Sequence, residues 1–255
     1  MLSLQFRLLP SLQEHIEKSA PPHYQPGVPR VYRSFRALID IASDTSTILS
    51  QARPLSVSRR HPYFGSEITP GMPVLIKMVA GAYGEILHLT LARFGYASTL
   101  YGFYKEEGLP SLYVFEQLPE DSWITLFDFE IQAGRTGCQP YLSDIRLSLN
   151  AILDRLEHEG LVHGDLRANN IMIHVKEGKP VVSPSAPKIG LKLIDFDWGG
   201  RAGQVRYPVH RNNNIKKIKW PAPIGEAIEI GHDRQLVDSW WKFFGNFRSL
   251  GQLNG

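Results

Sequence analysis

The segment from Leu142 to Phe196 constrains the fold more than any other part of this chain. Leu142, Ile145, Leu149, Ile152, Leu153 and Leu156 recur at three- and four-residue intervals and trace one apolar stripe along a helix that ends before Gly160. Ser143 stands where a side-chain oxygen can cap its first amides. Two apolar runs of strand length follow, IMIHV at 171–175 and LKLIDF at 191–196. Between them KEGKPVVSPSAPKIG, rich in Lys, Gly, Pro and Ser, predicts a surface loop. A long helix feeding a strand pair, preceded by further strands, is the order of an α+β fold rather than of alternating β and α units.

The upstream half supplies those strands. PVLIKMV at 73–79 is a short apolar run between Pro and Gly, interrupted by Lys77, and SLYVFEQL at 111–118 is a second. After Gly84, the spacing of Leu87, Leu91 and Phe94 predicts a helix with Gly95 at its C-terminal turn. FRALIDIA and TILSQARPLSV flank Ser43 to Ser46, a turn-forming group, and predict a hairpin over 34–58. Pro21, Pro22, Pro26 and Pro29 make residues 19–30 a linker behind an N-terminal arm. Residues 1–30 are therefore expected as arm and linker, 31–118 as a strand-rich lobe and 119–255 as a helical lobe.

Composition narrows the class of protein. Hydrophobic residues make up 43% and charged residues 21%, which excludes a disordered or collagen-like chain. Cys138 is the only cysteine, so there is no intramolecular disulfide and no cysteine-rich zinc cluster, and a cytoplasmic or nuclear setting is expected. Gln5 and Arg7 break the N-terminal apolar stretch, so it is read as mature chain rather than a signal peptide. No apolar run reaches the ~20 residues of a membrane helix. The net charge of +3 hides an asymmetry: residues 198–221 hold Arg201, Arg206, Arg211, Lys216, Lys217 and Lys219 and no acid.

LVHGDLRANNIMIHV at 161–175 and LKLIDFDWGG at 191–200 resemble the catalytic core of the protein-kinase-like superfamily. In that pattern an Asp accepts the acceptor hydroxyl proton, an Asn five residues on holds Mg²⁺, and the Asp that opens D-F-G binds Mg²⁺ bridging the phosphates. The resemblance implies these roles for Asp165, Asn170 and Asp195, with His163 at the start of the loop. Taken alone, one Asp could cap a turn and the other could end a strand; the joint spacing disfavours that. VLIKMV resembles the V-A-I-K strand, which makes Lys77 the phosphate-binding lysine and Glu85 its helical partner. The plainer alternatives are an edge-strand lysine reaching solvent and a glutamate favoured at a helix N-terminus. YVFEQL resembles the strand that joins the two lobes, with Phe115, Glu116 and Leu118 lining the adenine site; Phe115 could equally be core. Asp233 resembles the helix-F aspartate that bonds to the catalytic-loop backbone.

The departures matter as much. There is no G-x-G-x-x-G before Lys77; the 43–47 turn could cover the nucleotide, although Asp44 would repel phosphate. Gly164 replaces the Arg that receives an activating phosphate, and residues 198–221 contain no Ser or Thr, only Tyr207. Asp197 stands where the family has Gly, which bears on the flexibility of the metal-binding turn. Ala222-Pro223-Ile224 resembles A-P-E without its acid, and the helical lobe is expected to stop after helix F. HGDLR with IDFDW is most similar to fungal protein-kinase-like domains.

The expected fold is thus a two-lobed, protein-kinase-like α+β structure, and the expected activity is ATP- and Mg²⁺-dependent phosphoryl transfer. The expected acceptor is a protein hydroxyl or a small anionic molecule; a nucleic-acid partner and a membrane are disfavoured. A small-molecule kinase of the aminoglycoside- or choline-kinase type and a catalytically impaired pseudokinase are the alternatives.

Overall fold

The computed structural model describes residues 38–40, 46–47, 53–56, 63–67, 72–105, 109–184, 188–213, 215 and 218–245. They divide into two compact units, Met1–Gly81 with Leu100–Gln117, and Ala82–Thr99 with Leu118–Gly255. The segment 82–99, which the sequence reading grouped with the strand-rich lobe, packs within the second unit.

The first unit is an antiparallel sheet. Its strands are β1 (Leu38–Asp40), β2 (Ser46–Thr47), β3 (Arg53–Ser56), β4 (Tyr63–Glu67), β5 (Pro73–Val79), β6 (Leu100–Tyr104) and β7 (Ser111–Glu116), in the spatial order β2-β1-β6-β7-β5-β4-β3. The expected hairpin forms between β1 and β2, with Leu38 opposite Thr47. Its turn lies outside the described residues, and so does the idea that this turn covers a nucleotide. The second extended segment does not continue as one strand: its later part is β3, which pairs with β4. The run Tyr63 to Glu67 opens with two strand-favouring aromatics but continues as Gly-Ser-Glu, and pairing with β5 extends it as a strand. Strand β7 stops at Glu116, short of the predicted 118. Val74 and Ile76 on β5 and Leu112 and Val114 on β7 form the core of this unit.

The second unit begins with α1 (Glu85–Arg93), closed by Gly95 in the left-handed conformation at φ 76° as the sequence predicts. There follow β8 (Trp123–Thr125), α2 (Leu126–Cys138), α3 (Leu142–Glu159), β9 (Leu161–Val162), β10 (Ile171–Lys176), β11 (Lys179–Pro180), β12 (Leu191–Leu193), β13 (Gly200–Arg201) and α4 (His232–Trp241). Helix α3 is the predicted stripe, and Ile145, Leu149, Ile152, Leu153 and Leu156 are all buried in the main core. It starts one residue before Ser143, behind Tyr141, with no side-chain cap; the predicted serine cap is not made. Thr125 caps α2 instead, its Oγ1 accepting from the Asp128 amide at 3.0 Å. That helix was missed because Gly134, at φ 61°, interrupts its periodicity with a kink.

Strand β12 ends at Leu193, so Ile194, Asp195 and Phe196 leave the sheet instead of extending it to 196. The predicted surface loop carries β11, paired with β10, and a bridge between Val182 and Ile189. Cys138 is buried beside Glu130; desolvation and that carboxylate push its thiol up to about 11, which leaves it inert. Among the described residues no helix is long and apolar enough to cross a membrane.

Helix α1 is seated by close packing. A Cβ on Gly199 would fall 2.3 Å from Leu87 Cδ2 and 3.2 Å from the Val162 carbonyl oxygen. Gly199→Ala is therefore expected to destabilise the protein by about 1–3 kcal/mol, the usual cost of overpacking, read as a lower melting temperature. A variant that melts with the wild type would show that α1 is free to move off this contact.

Candidate active site

The loop between β9 and β10 is tied down from below by one carboxylate. Asp233, in the first turn of α4, accepts from the His163 amide at 2.6 Å through Oδ2 and from the Gly164 amide at 2.9 Å through Oδ1. The sequence resemblance led to this bond. Burial pushes the Asp233 carboxyl up from its ordinary value, while the His163 and His232 rings and the two amides pull the other way. His163 is fully buried; its Nδ1 accepts from the Asp165 amide at 3.3 Å, so the proton sits on Nε2, which donates to the Ile194 carbonyl at 3.0 Å. One ring thus ties the Asp165 loop to the residue before Asp195.

Asn170 completes the arrangement. Its Nδ2 donates to the Asp165 main-chain carbonyl at 2.8 Å and to Asp165 Oδ2 at 3.0 Å, and its own carbonyl accepts from the Ile194 amide at 3.0 Å. The structure therefore brings together Asp165 and Asn170, and ties Asn170 to Ile194, the residue before Asp195. Asp195 sits at φ 67°, a left-handed conformation uncommon outside glycine and best tolerated by Asp and Asn. Its backbone is fixed on the other side by Phe196, which is buried, stacked on His88 of α1 with ring centroids 4.4 Å apart, and bonded through its carbonyl to the Gly84 amide at 2.9 Å. His88 is held in turn by the Tyr83 hydroxyl at 2.7 Å and the Ser98 carbonyl at 2.9 Å.

The sequence reading assigned no role to Arg167. Its Nε donates to Asp165 Oδ1 at 2.5 Å and its Nη2 to Oδ2 at 2.7 Å, a two-pronged pair that orients the carboxylate. Two-residue separation on a loop gives no periodic signal, so only the geometry reveals it. Oδ2 already receives both Arg167 and Asn170, but Oδ1 takes a single donor and keeps a second lone pair, through which Asp165 can accept a hydroxyl proton.

The departures also find physical reasons. Gly164 is at φ 79°, and a Cβ there would lie 2.6 Å from Ile228 Cδ1 and 3.3 Å from Trp198 Cβ; an arginine would be strained and would have to displace Ile228. Gly199 and Gly200, which follow Asp197 and Trp198, are closely packed, the first against Leu87 and the second paired with Val162.

Lys77 lies on β5 between β4 and β7, 1% exposed, so it is not an edge-strand lysine reaching solvent. Phe115 is buried on β7 and Glu116 half-buried at its end, where burial and Glu116 raise the Tyr101 hydroxyl. Leu118 follows the strand and is half-buried. Glu85 opens α1 in the other unit. Of the six cations of 198–221, Arg201, Arg206 and Lys219 are exposed, Lys216 and Lys217 lie outside the described residues, and Arg211 is buried. Arg211 therefore differs from the other described cations of the run.

Among the described residues no group of three or more His, Cys, Asp or Glu could by itself hold a metal ion. The Asp195 carboxylate and the Asn170 carboxamide are hard oxygen donors, and Mg²⁺ is commonly held by one or two such groups with phosphates and water completing its shell. The donor set therefore fits Mg²⁺ bound together with a phosphate ligand.

Solved structures of protein kinase domains share this architecture. The chain matches the PK-1 kinase of the Cydia pomonella granulovirus with a TM-score of 0.52 at 14% identity, over 75% of this chain and 68% of that one. It matches the BubR1 kinase domain with a TM-score of 0.52 at 13% identity, over 95% of this chain and 74% of that one. The chain thus has the two-lobed protein-kinase-like fold. No protein-family profile and no curated protein sequence matches it.

Asp233→Ala removes both acceptors of two buried amides, and its expected cost is about 2–5 kcal/mol. Asp233→Asn, which keeps the volume but turns an amide donor toward one of those N–H groups, should also destabilise, by less. Denaturant unfolding of both variants checks this; wild-type stability in the alanine variant would show that the loop is held elsewhere.

Proposed function

We propose that the protein is an ATP- and Mg²⁺-dependent phosphotransferase that transfers the γ-phosphate to a hydroxyl group, with a protein as the acceptor. The observation that carries this reading is the Asn170 carboxamide bridging the Asp165 carbonyl and carboxylate while its backbone holds the strand end before Asp195. A base and two oxygen donors are thereby kept in one small loop cluster, which is what a reaction dominated by positioning and charge neutralisation requires.

In this reading Asp165 accepts the proton of the acceptor hydroxyl as its oxygen bonds to the γ-phosphorus and the bond to the β–γ bridging oxygen breaks, releasing ADP. Arg167 keeps the carboxylate turned toward the acceptor. Asn170 and Asp195 hold Mg²⁺, which when bound neutralises the phosphate oxygens. Lys77 contacts the phosphates, Glu85 orients Lys77, and Phe115, Glu116 and Leu118 receive the adenine. Exposed Arg201, Arg206 and Lys219 raise the local concentration of anionic acceptors, an effect that salt screens over about 8 Å at physiological ionic strength.

Asp165→Asn should keep the fold and the melting-temperature rise produced by Mg·ATP while lowering phosphoryl transfer roughly 10²- to 10⁴-fold. Asp195→Asn tests the metal role without disturbing the backbone, since Asn also tolerates φ near +60°. It should reduce the Mg·ATP-induced rise while leaving the melting temperature of the free protein nearly unchanged. The reading fails if Mg·ATP does not shift the melting temperature of the wild-type chain, or if Asp165→Asn turns over as fast as the wild type.

A further inference from the structure

Arg211 stands apart from the other described cations of its segment because it is 7% exposed, whereas Arg201, Arg206 and Lys219 face solvent. A guanidinium withdrawn from water needs partners for its N–H groups and its flat faces. Arg211 has both. Its Nη1 donates to the Ala222 carbonyl at 2.9 Å and its Nε to Asn213 Oδ1 at 3.0 Å. Its Cζ lies 4.6 Å from the Tyr207 ring centroid and 4.7 Å from that of Trp220.

One side chain thereby joins points that are separated along the segment. Tyr207 lies before it, and Trp220 and Ala222 lie after it; Trp220 Nε1 closes the same loop on the Asn212 carbonyl at 3.2 Å. Tyr207 is itself anchored: its amide donates to the Glu226 carbonyl at 3.0 Å, its carbonyl accepts from the Gly225 amide at 2.9 Å, and its ring stacks on His232. The Trp220 ring also lies 5.7 Å from the guanidinium carbon of Arg167, the residue whose fork holds both carboxylate oxygens of Asp165. A continuous chain of contacts therefore runs from Arg211 through Trp220 and Arg167 to Asp165.

Nothing in this chain asks for a phosphate. Tyr207, the one hydroxyl side chain between residues 198 and 221, is 1% exposed, and a modifying enzyme has no access to it in this state. The position from which an arginine would have met a phosphorylated segment is Gly164, packed against Trp198 and Ile228.

We propose that Arg211 is a positioning residue: it clamps Tyr207, Trp220 and Ala222 so that Trp220 stays against Arg167 and the Asp165 carboxylate keeps its orientation, without phosphorylation of the segment. Its effect on turnover rests on the phosphotransferase reading; the clamp itself does not.

The test compares Arg211→Met, which keeps an apolar stem but loses the fork, with Arg211→Lys, which keeps charge without a planar face, and with Trp220→Phe. In the full chain, hydrogen exchange at the Tyr207, Gly225 and Arg167 amides should quicken roughly tenfold or more in Arg211→Met and less in Arg211→Lys, with α3 amides unchanged. Hydrolysis of Mg·ATP should lose roughly 10- to 100-fold in kcat with KM for ATP unmoved. Arg211→Met should add little further loss in a Trp220→Phe background. Unchanged exchange at Tyr207 and Gly225 overturns the clamp. Unchanged exchange at Arg167, or losses in kcat that simply multiply, overturn the link to Asp165. A wild-type chain that neither binds nor hydrolyses Mg·ATP sinks the phosphotransferase reading alone, because the exchange at these amides still decides the clamp. Should Arg211→Met not fold, Arg211→Lys carries the same comparison.

Discussion

The two bonds from the His163 and Gly164 amides to the Asp233 carboxylate are what the functional region of the second unit hangs on. They fix the backbone where β9 gives way to the loop, and every later contact starts from that point. His163 Nε2 reaches Ile194 only because its backbone is held; Asp165 follows at a set angle; Asn170 can then bridge the loop to itself. Burial makes the arrangement demanding. A carboxylate out of water is tolerated when donors surround it, and here they are main-chain amides that themselves have no access to solvent. The anchor and the loop satisfy one another.

Around this anchor, space is filled so closely that several residues are fixed by exclusion rather than by attraction. Gly164 has no room for a side chain against Ile228 and Trp198, Gly199 none against Leu87, and Gly84 would bring a Cβ within 2.8 Å of the Gly199 carbonyl oxygen. The three glycines explain why the loop, the turn after Phe196 and the start of α1 lie against each other. They also explain a departure that looks like loss when read in sequence: the missing arginine at 164 is the consequence of a segment packed directly on the loop backbone.

The sequence made legible those parts of the fold whose signal is periodic or chemically singular. The apolar stripe of α3, the run of β5 and the left-handed turn at Gly95 all express a local rule that packing does not override. Asp165, Asn170 and Asp195 were singled out because a spacing of five and a segment ending in Ile-Asp-Phe are specific, and Asp233 because it resembles the helix-F aspartate, whose bonds to the loop backbone are present. The misses have the opposite character. Helix α2 hides behind the kink at Gly134; β4 exists because β3 and β5 flank it; the α3 cap at Ser143 fails because the helix begins a residue earlier. Strand β12 ends at Leu193, and Asp195 takes a positive φ two residues later, a conformation with no local signature. The sequence of the loop shows Arg167 beside Ala168, an order similar to the R-A-x-N loops of tyrosine kinases, but its pairing with Asp165 had no signal there, because a side chain two residues along a loop can point anywhere until the backbone is known.

The basic run from Arg201 to Lys219 shows how one compositional signal can conceal two physical roles. Seen as a count, its cations are equivalent, and the natural inference is a solvated surface that attracts anions. Burial separates them. Arg201, Arg206 and Lys219 remain in water, where their charge acts at a distance and is weakened by salt. Arg211 acts only at contact, and its planar fork is what matters: two neutral oxygens and two aromatic faces receive it at once, an arrangement that the single ammonium of a lysine meets only in part. Tyr207 and Trp220 are then not incidental hydrophobes. They are the surfaces that let a cation be buried, and through Trp220 and Arg167 they connect a cation of this run to the carboxylate at the centre of the site.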